Sequence, residues 1–154
     1  MKSFTGLLFC LVLSSACANA TCVVNNITTH ALRELINSKG GWPITSSACK
    51  ELDSTKMDVS VTVDHYVDHG VSVGWAAISL EDPKTDVISS YTSWATTMKP
   101  GASDPSALDA EYDSIRSALN NFHYLKASVQ ITQQEVHNDA RALANKYIAC
   151  KTSN

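Results

Sequence analysis

The chain of 154 residues lacks an apolar run long enough to cross a membrane. A spanning helix needs roughly 20 apolar residues, and the stretch from Gly6 to Leu13 stops well short of that. No permanent membrane anchor is therefore expected. Lysine and arginine form no block at any point in the chain. Nucleic acid, which requires a basic face to displace its counterions, is thus not an expected partner. The cysteines contain no C-x-x-C spacing, which removes the commonest zinc knuckle and the thioredoxin-type redox pair. There is no internal repeat and no low-complexity tract, and no cofactor is expected.

What is present begins with a targeting signal. Met1 and Lys2 open the chain with positive charge, Gly6 to Leu13 is apolar, and Ala18-Asn19-Ala20 has the small-x-small form that a signal peptidase reads. Residues 1–20 are read as a signal peptide and residues 21–154 as a single compact domain starting at Thr21. A cut near Ser14-Ser15-Ala16, with Cys17 as a lipid-bearing first residue, is the weaker reading, because Ser14 stands where an aliphatic residue is wanted. The mature chain of about 134 residues suffices for one core. It keeps eleven basic residues against fifteen acidic ones, a net charge of −4.

Cys22, Cys49 and Cys150 remain after the main cut. An oxidising compartment favours pairing, and three is an odd number. Joining Cys22 or Cys49 to Cys150 closes the longest loop, for which the chain-entropy argument predicts roughly 4 to 5 kcal/mol. A cut before Cys17 would leave four cysteines and permit two bridges.

Periodicity then divides the mature chain. Val24, Ile27, Ala31 and Leu35 recur at helical spacing and end at Gly40-Gly41, predicting a first helix. Trp42 to Thr55 has no sustained period and reads as a loop. Val59, Val61, Val63, His65 and Val67 alternate with polar residues, which predicts a half-buried strand. Asp68-His69-Gly70 turns the chain into a second strand from Val71 to about Leu80, and Glu81 to Lys84 turns it into a third from about Asp86 to Thr96. A helix is expected from Asp104, as N-cap with Pro105 behind it, carrying Leu108, Tyr112, Ile115, Leu119 and Phe122 as its apolar stripe. A last helix is expected from the capping box Thr132 to Glu135, with Val136, Ala140, Leu143 and Tyr147 along one side. The expected fold is α+β, a three-stranded antiparallel meander packed on one face by helices in the order α-βββ-α-α.

Several residues could carry chemistry. Asp64-His65 and Asp68-His69 are Asp-His pairs four residues apart, a spacing that resembles a metal ligand set. On a strand, however, His65 falls on the valine side and His69 in a turn, so a metal site built on them is the weaker reading. Serines are plentiful, but no nucleophile elbow is expected among them. His123 and His137 are expected as surface or interhelical groups. Glu81, Asp82 and Asp86 would be solvated turn carboxylates with ordinary acidity. Asn26-Ile27-Thr28 is an acceptor for N-glycosylation if the source is eukaryotic.

The remaining feature is a strand face presenting Asp58, Asp64, Tyr66 and Asp68, an acidic surface with one aromatic anchor that suits a basic protein partner. The expectation is accordingly an exported binding protein and not an enzyme. It would be periplasmic in a Gram-negative cell, acting as an inhibitor or immunity protein against a toxin or envelope hydrolase. The alternatives are a secreted effector or virulence factor acting outside the cell, and a small secreted hydrolase.

Overall fold

The structure, a computed structural model, describes residues 24–152. Its elements in chain order are β1 (Val24–Ile27), α1 (His30–Ser38), α2 (Ser46–Thr55), β2 (Asp58–Asp68), β3 (Val71–Asp82), β4 (Val87–Ile88), β5 (Ser93–Pro100), α3 (Asp104–Asn120) and α4 (Tyr124–Thr152). The class is the expected α+β arrangement of an antiparallel meander covered on one face by helices. Residues 1–20, expected to be a signal peptide, and Cys22 lie outside the described residues.

The meander follows from its turns. Asp68 pairs with Val71 across the two-residue loop His69-Gly70, where both residues have positive φ, 45° and 83°. Two such residues make a type I′ turn, whose twist matches that of the flanking strands. The register then runs without interruption to Asp58 opposite Glu81. The third strand is split: β4 pairs Glu81 and Asp82, while β5 pairs Val71 through Ile78 on the same edge of β3. β5 extends beyond the expected limit, to Pro100, because an edge strand tolerates a residue without an N–H.

Five assignments differ from the sequence reading. Val24 to Ile27 do not begin a helix; they add a parallel edge strand against Val59 to Thr62. The first helix starts after Thr29, whose hydroxyl accepts from the Leu32 N–H at 3.2 Å. The segment read as a loop contains α2, capped by the Thr45 hydroxyl on the Ala48 N–H and burying Cys49 and Leu52. Its polar serine and threonine content hides a short helix that is held by those two buried residues. Finally, α3 is capped by Ser103, one residue before the expected Asp104, and α4 begins at Tyr124, eight residues before the expected box. Thr132 sits inside α4 with its hydroxyl donating to the Ser128 carbonyl at 3.0 Å, an in-helix bond and not a cap.

All helices contribute to one core. Leu32 and Ile36 of α1, Leu52 of α2, Ile115 and Leu119 of α3, and Tyr124, Ala127 and Ile131 of α4 close over Val59, Val61, Ala76, Ile78 and Leu80 of the sheet. The expected stripe of α3 is buried at Tyr112, Ile115 and Leu119, but its contact face is wider, adding Ala107, Ala110, Ser114 and Ala118. These small residues bring α3 close to β3. A Cβ placed on Gly74 would stand 2.1 Å from the Glu111 backbone nitrogen, so two stretches of backbone meet there. The Ser114 hydroxyl fastens the contact by donating to the Gly74 carbonyl at 2.8 Å.

The cysteine arrangement also changes. Cys49 is buried and disulfide-bonded. Its helix touches the start of α4, where the Leu125 N–H donates to Glu51 at 2.9 Å. Cys150 lies 25 residues farther along the same helix, about 37 Å away at 1.5 Å per residue. A bridge spans roughly 4.4 to 6.8 Å between Cα atoms, so Cys49 does not pair with Cys150 of the same chain. If the chain is cut after Ala20, as expected from its sequence, the remaining candidate partner is Cys22, which lies outside the described residues.

Two outcomes test this account. Gly74→Ala should lower the unfolding free energy by about 2 kcal/mol or more, since neither backbone can yield to an added methyl; urea titration measures it. Peptide mapping of the chain without reduction should recover a Cys22–Cys49 pair, and a Cys49–Cys150 peptide would contradict the helix geometry.

Candidate functional site

Strand register determines which side chains share the face turned away from the helices. Opposed residues in an antiparallel ladder point the same way. His65, on the helix side, is opposite Gly74, so the neighbouring rows belong to the outer face. Tyr66, Val73 and Met98 form one row across β2, β3 and β5, Asp64, Trp75 and Thr96 the next, and Thr62, Ala77 and Trp94 a third. The expected column Asp58, Asp64, Tyr66 and Asp68 is thus one edge of a broader surface.

That surface is apolar at its centre. Trp75 and Trp94 stack with ring centroids 5.7 Å apart and planes inclined by 24°. Tyr66, Trp94 and Met98 are 51%, 67% and 68% exposed, whereas Val73 and Ala77 beneath them are buried. Carboxylates flank this centre: Asp64 and Asp68 stand near it on β2, and Asp58 opposite Glu81 at the far end. None of the outer-face positions on these three strands from 58 to 100 holds a lysine or arginine. Lys99, on β5, points to the helices instead. Its ammonium bonds Asp113 at 2.8 Å and Asp109 at 3.1 Å. The hydrogen bond to Asp113 is the main cause that raises the Lys99 pKa, and Lys99 in turn holds Asp109 below the usual carboxylate range. This pairing clamps β5, and with it Trp94 and Met98, onto α3.

The two histidines separate. His65 Nδ1 lies 2.6 Å from a carboxylate oxygen of Glu111, which is 2% exposed. His69 is in the solvent-exposed turn, paired with Asp68. They therefore do not converge, and among the described residues no group of three or more His, Cys, Asp or Glu side chains is placed to hold a metal ion. Desolvation raises the Glu111 pKa, opposed in part by the hydrogen bond from His65.

Other candidates take structural positions. Asp82 is buried and not solvated as expected; its carboxylate accepts from the Lys84 N–H at 2.9 Å and the Thr85 hydroxyl at 3.0 Å. Its pKa is lowered mainly by a hydrogen bond with Glu135, and that neighbour raises the Glu135 pKa in return. The pair ties the β3–β4 turn to α4. The expectation that no G-x-S-x-G string occurs is corrected by Gly70-Val71-Ser72-Val73-Gly74, which has that spelling, but it runs from a hairpin turn into mid-strand. Ser72 is wholly buried and donates to the Gly101 carbonyl at 2.6 Å, so it is no strand-to-helix elbow. Asn26 is on edge strand β1, and its side chain is outside the described residues. Two shallow surface hollows of about 180 and 470 Å³ border Glu51, one with Thr45 and Leu119, the other with His123 and Lys126. Neither includes any of the candidate residues of the sheet.

Sequence reasoning missed Trp75, Trp94 and Met98 as members of the site. Trp75 was accessible from the turn, because a two-residue loop after Asp68 places it opposite Asp64. Trp94 and Met98 follow only from the β3–β5 register, which no local turn specifies. No known protein family, curated protein or solved structure matches this chain.

The Glu111–His65 pair carries a pH signature. Below the ordinary value of 4.5 the carboxyl is neutral in both states; above it the folded chain retains the proton longer than the unfolded chain. Unfolded chains then bind fewer protons, so stability attributable to Glu111 falls as pH rises through its raised pKa. Denaturation midpoints of wild type and Glu111→Gln should diverge in that direction above pH 4.5. His65→Ala, which strands the buried carboxyl, should cost about 1 to 3 kcal/mol.

Proposed function

We propose that the chain is an exported binding protein that engages another protein through the open face of its sheet, as an inhibitor or immunity protein would neutralise a toxin or envelope hydrolase. The observation that carries this reading is the stack of half-buried Trp75 on exposed Trp94, extended by Tyr66 and Met98 and flanked by carboxylates on a face whose outward strand positions hold no lysine or arginine.

Large aromatics on rigid strands supply contact area at small entropic cost, and such residues dominate the energetics of protein interfaces. A contiguous apolar patch of this kind is uncommon on a monomer without a use for it. The surrounding carboxylates accelerate encounter with a positively charged partner and disfavour acidic ones. The fitting partner therefore presents an apolar depression edged by lysine or arginine, a surface found where an enzyme receives an anionic substrate.

The decisive experiment is to express the chain with its own N-terminal segment in its native host and recover it from the periplasmic and medium fractions. Mass spectrometry identifies its first residue and any stoichiometric companion. The reading expects a Thr21 start and a partner retained by wild type. Trp94→Ala should weaken that complex by about 30-fold or more, the 2 kcal/mol typical of a hot-spot residue, and Asp64→Ala with Tyr66→Ala should abolish it. Undiminished affinity in both variants rules out this face. Recovery of the protein alone from the medium favours a secreted effector.

A further inference from the structure

The two halves of α4 have different surroundings. Its first part buries Tyr124, Ala127 and Ile131 in the core, and the Glu135 carboxylate meets the Thr85 hydroxyl at 3.1 Å. From Val136 to Ile148 every residue is exposed. Helix continues to Thr152, so about 25 Å of it runs on beyond the last residue that faces the body. Isolated helices of this length are marginal in water and draw their stability from packing an apolar face.

An apolar face is present, and among the described residues Val136, Leu143 and Tyr147 on it stay exposed. Val129, Val136 and Leu143 are spaced by seven residues, and Ala140 and Tyr147 fall between, giving the four-three alternation of a coiled-coil seam. Val136, Leu143 and Tyr147 are 65%, 69% and 71% exposed. The charges beside the seam select the occupant. Asp139 and Lys146 stand immediately before Ala140 and Tyr147, so both occupy the same flanking heptad position. When two copies run antiparallel with Ala140 layered on Leu143, position 139 of each meets position 146 of the other. Two opposite-charge pairs form by symmetry. A parallel arrangement instead brings positions 146 and 151, both lysine, together. Flanking charges set orientation and partner choice in such seams.

We propose that the distal half of α4 is a dimerisation helix, pairing antiparallel with the same segment of a second copy through Val136, Ala140, Leu143 and Tyr147, with Asp139 facing the second copy's Lys146. The contact is isologous and closes as a two-fold dimer. It is separate from the open sheet face.

Sedimentation equilibrium of the purified chain across the micromolar range, with reductant present, tests this. The expected result is a reversible dimer that reduction leaves intact. Leu143→Asp, which removes an exposed side chain and no core contact, should yield a monomer whose near-ultraviolet circular dichroism is unchanged. Asp139→Lys should weaken dimerisation by about tenfold, or about 1.4 kcal/mol, and Asp139→Lys with Lys146→Asp should restore it. A chain that stays monomeric, a dimer indifferent to Leu143→Asp, or one lost on reduction overturns the proposal. Failure of the double exchange to restore affinity overturns the antiparallel arrangement.

Discussion

The close approach of α3 to β3 at Gly74 is the contact on which the rest of the structure depends. Because backbone meets backbone there, the helix face that lies on the sheet must be built from Ala107, Ala110, Ser114 and Ala118. The inward positions of β3 are correspondingly small near the contact, with Ser72, Gly74 and Ala76 in succession. The layer has no room for large rings at this level. Trp75, Trp94 and Met98 occupy the opposite face, where they form the centre of the candidate binding surface.

Charge is distributed between the same two faces. Lys39 and Lys99 both reach Asp109 on α3, and His65 turns inward to Glu111. Each of these groups satisfies a carboxylate of the helical layer, and each is thereby withdrawn from the outer face. Asp64 and Asp68 have no basic neighbour across the strand. The acidity of the open face thus arises from where the cations are held as much as from where the aspartates are. A buried carboxylate such as Glu111 is costly unless it is neutral or hydrogen-bonded, which links the His65 rotamer to the packing of α3 and, through β2, to the position of Asp64 beside it.

α4 shows why periodicity alone does not assign a face. The residues Val136, Ala140, Leu143 and Tyr147 repeat with the spacing of a core stripe, yet they are exposed, while the helix packs through Tyr124, Ala127 and Ile131, ahead of its expected start at Thr132. Helical spacing states that apolar residues share a side. It does not state whether that side meets the chain's own sheet or another molecule, because the pattern is the same for both.

The sequence by itself determined the features whose causes are local. Valine alternation defined β2, the turn residues Asp68-His69-Gly70 marked the hairpin, and the stripe from Tyr112 to Leu119 defined α3 as a helix lying on a sheet. From these the α+β class and the acidic column of β2 were legible. Only the tertiary structure decided that Val24–Ile27 is a strand, since its partner lies more than thirty residues away. It likewise decided that Trp94 and Met98 join Tyr66, and that Cys49 and Cys150 stand far apart. The physical reason is common to these cases: pairing across a sheet and the length of a rigid helix are long-range geometry, and neither leaves a periodic or compositional trace in the residues it brings together or holds apart.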